Sequence, residues 1–169
     1  MKNFSFIHFG EIDIDNLDEY YEATFELDRN QVNIIISFEK NKIDYSTATL
    51  INNFLSNIKQ YNSQNIVSIE KNYDNGDDST VKDYVEFHLE EFYMNKLSQI
   101  IDFSDKTIEV EKQFLKNLKL IRVALSPDGV FGNENFATFD YTISTEITDE
   151  LIAVYSDENN ALKDIAWES

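Results

Sequence analysis

Two histidines are the chain's only imidazoles, and His88 is the better placed for chemistry. On a helical wheel it lies between Val81, Tyr84 and Phe92, and Glu91 offers a carboxylate close by. A His–carboxylate pair serves as a general base or a pH sensor, so a pocket around His88 and Glu91 is one reading. The bland alternative is a buried imidazole bonded to backbone or to a Tyr hydroxyl. The sequence offers no nucleophile partner, which favours that alternative. His8, between Ile7 and Phe9, makes no stronger case.

Carboxylates are the other abundant chemical group. Asp13, Asp15 and Asp18 follow Gly10, and Asp74, Asp77 and Asp78 surround Asn75-Gly76. Hard cations take several oxygen ligands, but neither cluster fits the EF-hand spacing. Starting at Asp13, the sixth position is Asp18 rather than Gly and the twelfth is Thr24. Both clusters read as solvated turns, with Asp77 and Asp78 complementing the dipole of a helix beginning near Ser79. No G-x-S-x-G, P-loop, G-x-G-x-x-G or H-E-x-x-H string is present. No metal site, catalytic residue or cofactor is therefore expected.

The 169 residues suit a single domain, with 42% hydrophobic and 27% charged residues, values of a globular chain. The formal charge of −18 argues against binding nucleic acid by phosphate neutralisation and disfavours an anionic membrane surface. Zero Cys excludes disulfides and thiolate chemistry. No signal-peptide apolar region or membrane-length run stands out, so a cytoplasmic location is the expectation.

The charges are segregated. Eight acids and no base lie between Glu11 and Asp28, and again eight and none between Val123 and Leu162. Six of the 14 bases fall between Lys96 and Arg122. If both acidic blocks join in one sheet, its solvent face is strongly negative and the opposing helices carry the bases. Such a face suits a basic protein partner. The residues singled out for it are Glu22 and Glu26, on the outer side of a hairpin, with Asp140 and Glu146 further along.

Periodicity places these residues on elements. Tyr21, Ala23, Phe25 and Leu27 alternate with Glu22, Thr24 and Glu26, and Val32, Ile34, Ile36 and Phe38 with Asn33, Ile35 and Ser37, which predicts a hairpin turning at Asp28-Arg29-Asn30. Phe4 to Phe9 reads as a third strand. Ile51, Phe54, Leu55, Ile58 and Tyr61 form a helical stripe, capped at Ser46 or Thr47. Further helices are predicted over 63–73, 80–101 and 107–118. Strands return at 121–125, 137–143, 151–155 and 162–168, a four-stranded antiparallel meander. The class is α+β: hairpin, central helices and meander, with the strands in one sheet packed on the helices.

FGEIDIDNLDEYYEATFEL, VNIIISFE, YVEFHLEEF, FLKNLKLIRVALSPDG, FATFDYTIS and the closing IAWES occur in an order that resembles a bacterial family, domain of unknown function 2004. The resemblance runs from about Phe9 to Ser169. It implies single-domain architecture and assigns no activity or residue roles. The leading expectation is a non-enzymatic, acidic interaction protein, such as an immunity-type neutraliser of a basic toxin. The alternative is a small-ligand-binding protein or enzyme using His88 and Glu91. Oligomeric state is open.

Overall fold

The structure is a computed structural model and describes residues 2–76, 79–92, 94–129 and 134–169. The chain opens with a short hairpin, β1 (Asn3–Phe6) against β2 (Gly10–Asp13). His8 in its connection and Gly10 at the start of β2 take positive φ of 72° and 77°, which reverses the chain in a few residues. This hairpin is a separate two-stranded sheet, so the single-sheet expectation is corrected. The Ile7 N–H beside its turn is taken by the Asn52 side chain at 2.8 Å, tying it to the helical layer.

β3 (Tyr20–Leu27) and β4 (Asn30–Ser37) pair antiparallel, with Leu27 opposite Asn30. Only Asp28 and Arg29 are left in the turn, and both have positive φ, 48° and 70°, the requirement of a type I′ hairpin. Among the described residues five helices follow: α1 (Tyr45–Ser56), α2 (Ile58–Tyr73), α3 (Thr80–Glu91), α4 (Met94–Leu97) and α5 (Val110–Lys116). The cap of α1 is Asp44 rather than Ser46 or Thr47. Its carboxylate accepts the Thr47 N–H at 2.7 Å, and such bonds hold its pKa down to about 2. Two helix expectations are corrected. The stripe from Ile51 to Tyr61 is split at Asn57, whose N–H bonds to Phe54 O. The long helix stops at Glu91, because Phe92 is extended at φ −96°, ψ 119°.

The chain then returns to strands: β5 (Lys119–Leu125), β6 (Ala137–Thr142), β7 (Leu151–Ser156) and β8 (Leu162–Glu168). The main sheet is six-stranded and mixed, in the order β3-β4-β5-β6-β7-β8. β4 and β5 are parallel, and all other neighbours are antiparallel.

Alternation sorts each strand's side chains onto two faces. Val32, Ile34, Ile36, Val123, Phe139, Tyr141, Ile152 and Val154 point inward and are fully buried against Ile51, Phe54, Val81, Tyr84 and Phe114 of the helices. Each such side chain contributes roughly 1.5–3 kcal/mol of transfer free energy. The register puts Glu22, Asn33, Ile35, Arg122, Ala124, Thr138, Asp140, Ala153, Tyr155 and Glu168 on the other face. Among the described residues no helix covers that face. No helix is long and apolar enough to cross a membrane, again among the described residues.

The connection after β4 is clamped to the turn after β5. The Asp128 carboxylate accepts the N–H groups of Glu39 at 3.1 Å and Lys40 at 2.9 Å. Hydrogen bonds to a charged acceptor are each worth about 1.5–3 kcal/mol, more than neutral ones. Asp128→Ala is expected to cost about 2 kcal/mol in urea unfolding. Amide exchange at Glu39 and Lys40 should rise selectively; unchanged protection at both amides would show that the clamp is not formed in solution.

Candidate interaction surface and clefts

Glu22 and Glu26 stand on the open face of β3, where Tyr21, Ala23 and Phe25 turn inward and leave them exposed. At the opposite edge, Asp164 and Glu168 of β8 are also exposed, and the register sets them on the same face. Between these edges the face is poor in charge. Ile35, Ala124 and Thr138 are half-buried and Ala153 is fully buried. Two acidic edge strands thus flank a centre of small and apolar side chains, with Tyr155 bridging toward β8. The Tyr155 hydroxyl donates to Glu168 Oε1 at 2.6 Å, and burial and that carboxylate push its pKa up.

Asp140 corrects the sequence reading. It lies on the open face but is 2% exposed, covered rather than displayed. Arg122 lies opposite it in the register and donates from Nε to Asp140 Oδ2 at 2.5 Å. Burial raises the Asp140 pKa, while the guanidinium opposes that rise. Arg122 is therefore committed to a carboxylate beneath it, and Asp140 is not available to a partner. Glu146 is exposed but sits in the β6–β7 connection, away from Glu22. Asp164 and Glu168 escaped the sequence reading because Lys163 ended the base-free block. The alternation of Asp164, Ala166 and Glu168 with Ile165 and Trp167 was the signal for them.

The helices do not carry an excess of bases as expected. Lys59, Lys71, Lys82, Lys96, Lys112 and Lys116 are matched one for one by Glu70, Asp83, Glu86, Glu90, Glu91 and Glu111. The negative excess belongs to the strands and, above all, to the connections.

His88 is fully buried in an aromatic cage. Its ring packs on Tyr84 at 4.2 Å, stacks on Phe92 at 5.3 Å and touches Phe87 and Phe114. Nδ1 lies 2.7 Å from Tyr84 O, so Nδ1 carries the proton and Nε2 holds a lone pair. Nε2 has no hydrogen-bond partner among the described residues. Glu91, by contrast, is exposed at the end of α3, so the two do not form a pocket. His8 stacks on Phe25 of β3, whereas the His88 cage includes Phe87, which packs on Trp167 of β8. Five strand spacings separate those edges, roughly 24 Å.

In both acidic clusters described carboxylates have partners within the chain. Asp13 Oδ1 accepts the backbone N–H groups of Lys2 and Asp15, and Asp74 pairs with Lys112 at 2.7 Å. Asp77 and Asp78 lie outside the described residues. Among those described, no group of three acids or imidazoles converges to hold a metal ion.

Three clefts lie at the end of the main sheet where β4 and β5 begin, and a further one, about 440 Å³, lies apart from them on α2, lined by Gln60, Gln64 and Lys71 among others. One of the three, about 570 Å³, is lined by Asn30, Gln31, Lys96, Gln99, Lys119 and Glu146 among others. A second, about 300 Å³, shares Asn30 and Lys119 and adds Lys116. A third, about 370 Å³, shares Gln31 and reaches Arg122 on the open face. None is lined by His88 or Glu91.

Compared with known proteins, the chain matches no family model, no curated protein and no solved structure.

Two expected outcomes test this geometry. Arg122→Met leaves the Asp140 carboxylate buried and unanswered. It should cost about 2–4 kcal/mol, whereas Arg122→Met with Asp140→Leu should recover most of that loss. Additive losses in a double-mutant cycle would show that the two groups do not interact. Burial lowers the His88 pKa below the ordinary 6.5, so the folded state holds the neutral ring. As pH falls below about 6.5 the unfolded chain takes up the proton first. Stability is thus full above that pH and falls below it by up to about 1.4 kcal/mol per unit. His88→Gln should flatten the stability difference between pH 7.5 and 5.5; an unchanged slope would assign it to other groups.

Proposed function

We propose that the chain is a non-enzymatic, acidic docking protein whose open sheet face engages a basic protein. The observation that carries this reading is the face itself. Its centre, Ile35, Ala124, Thr138, Ala153 and Tyr155, holds the paired charges of Arg122 and Asp140, and its edges bear Glu22, Glu26, Asp164 and Glu168. Protein interfaces have that anatomy, an apolar patch excluding water within a polar rim. Carboxylates on the rim raise the association rate and select a partner of opposite sign. An immunity-type neutraliser, covering a toxin whose working surface is basic, is the concrete version. The resemblance to domain of unknown function 2004 adds an architecture to this reading and no activity.

The test uses the partner captured by the wild-type chain at low salt, purified, with its affinity then measured directly. Glu22→Lys, Glu26→Lys, Asp164→Lys and Glu168→Lys together are expected to weaken binding by about 100-fold or more. A control set with the same change in net charge, Glu70→Lys, Glu86→Lys, Glu90→Lys and Glu91→Lys on the helices, should change it less than about 3-fold. Equal losses from both sets, or no loss from the first, would defeat the docking face.

A further inference from the structure

The clefts at the start of β4 and β5 have one origin. The ladder between these strands runs only from Asn33 opposite Arg122 to Ile36 opposite Leu125. The residues before it, 30–32 and 119–121, are not paired with one another across that gap. Each strand is instead held by its outer neighbour, β3 for one and β6 for the other. The β5·β6 register also shifts between Leu120 and Arg122, a bulge at Ile121. The sheet therefore opens into a notch between two parallel strands, and the three clefts at this end of the sheet are built around it.

The notch differs in charge from the rest of the molecule. Lys96 and Lys119 line its main cleft, and Lys116 lines the adjoining one. None of the three forms an ion pair among the described residues. Lys96 Nζ lies 5.6 Å from the centre of the Phe92 ring, and Asp28 lines the cleft of Lys116, so three cations stand at this concavity against two lining carboxylates, Asp28 and Glu146, in a chain with 32 acids and 14 bases. Asn30, Gln31 and Gln99 bring amides that donate and accept, suited to the hydroxyls of a polar ligand. The volume is within the range of small-molecule sites.

We propose that this notch binds a small phosphate ester, its dianion between Lys96 and Lys119 and its hydroxyl-bearing body against the amides of β4 and Gln99. Phosphate rather than carboxylate follows from the donors. Lysines act as point charges that suit a dianion, and the nearby guanidinium, Arg122, is already held by Asp140. Glu146 lines the same cleft and opposes an anion, so it weakens the site without defining it. The site adjoins the docking face, since Gln31 lies opposite Glu26 and the third cleft reaches Arg122, but neither Glu22 nor Glu168 lines it.

The probes are glucose 6-phosphate, AMP, inorganic phosphate and citrate, titrated into the isotope-labelled full chain with amide shifts followed by NMR. The esters are expected to bind at about 1 mM or tighter, moving the amides of Asn30, Gln31 and Lys119. Inorganic phosphate and citrate should bind at least about 5-fold more weakly. Lys96→Ala and Lys119→Ala, at exposed positions where folding is checked by thermal melting, should each weaken the ester about 10-fold. Lys71→Ala should leave binding unchanged, and Glu146→Gln should tighten it about 3-fold. The proposal is overturned by an absence of shifts at 20 mM ester, by equal affinity for citrate or inorganic phosphate, or by indifference to Lys119→Ala.

Discussion

The parallel pairing of β4 with β5 organises this molecule. A strand can be followed by a parallel neighbour only if the chain crosses back from one end of the sheet to the other. Here the crossover is residues 38–118, and it contains every helix among the described residues. A crossover lies on one side of its sheet, so all the helices are laid on one face. The segment after it, from Lys119 onward, is spent on β5 to β8 and their connections, and among the described residues no helix covers the opposite face. One-sided burial follows from topology, and the inner rows of Val, Ile, Phe and Tyr follow from one-sided burial.

The same pairing sets the polarity of the open face. Side chains there alternate with core residues, so they must suit water, yet a six-stranded sheet is wide enough for its middle to be shielded by its own neighbours. Ala153 and Asp140 are buried in this way without a covering layer. A carboxylate in that position costs desolvation, and Arg122, directly across the β5·β6 register, offsets it. The charges free for a partner are therefore the ones at the edges. Where the parallel ladder has not yet begun, the strands diverge and leave the lysine-lined notch.

Much of the fold was legible because burial leaves a period in the sequence. The hairpin of β3 and β4 and the strands after Lys119 appear as alternation, and α1 as the stripe through Ile51, Phe54 and Leu55. Breaks within a stripe were not legible. Leu97 and Ile101 are buried like the residues of α3, so apolar spacing continued past Phe92 although the backbone did not. Nor did the first hairpin's isolation show, since Phe4 and Phe6 read the same whether they extend a sheet or pack beside one. Asp140 was placed on the correct face by alternation but with the wrong exposure, because its cover comes from residues joined only by strand order. The notch was out of reach for the same reason: Asn30 and Lys119 are far apart in sequence and meet only through the crossover.

Net charge is a poor guide to where an acidic protein binds. The helices are balanced, so the excess of acids is carried by strands and connections, and its effect depends on which groups stand close together. At physiological ionic strength, exposed charges farther apart than about 8 Å are largely screened from one another. Glu22 and Glu168, on opposite edge strands, act as separate local fields rather than as one potential. Lys96 and Lys119 at the notch answer to the groups that share their cleft, chiefly Glu146, and little to the total of −18. A strongly negative total charge is thus compatible with a local group of lysines, because each charge answers to its near neighbours rather than to the sum.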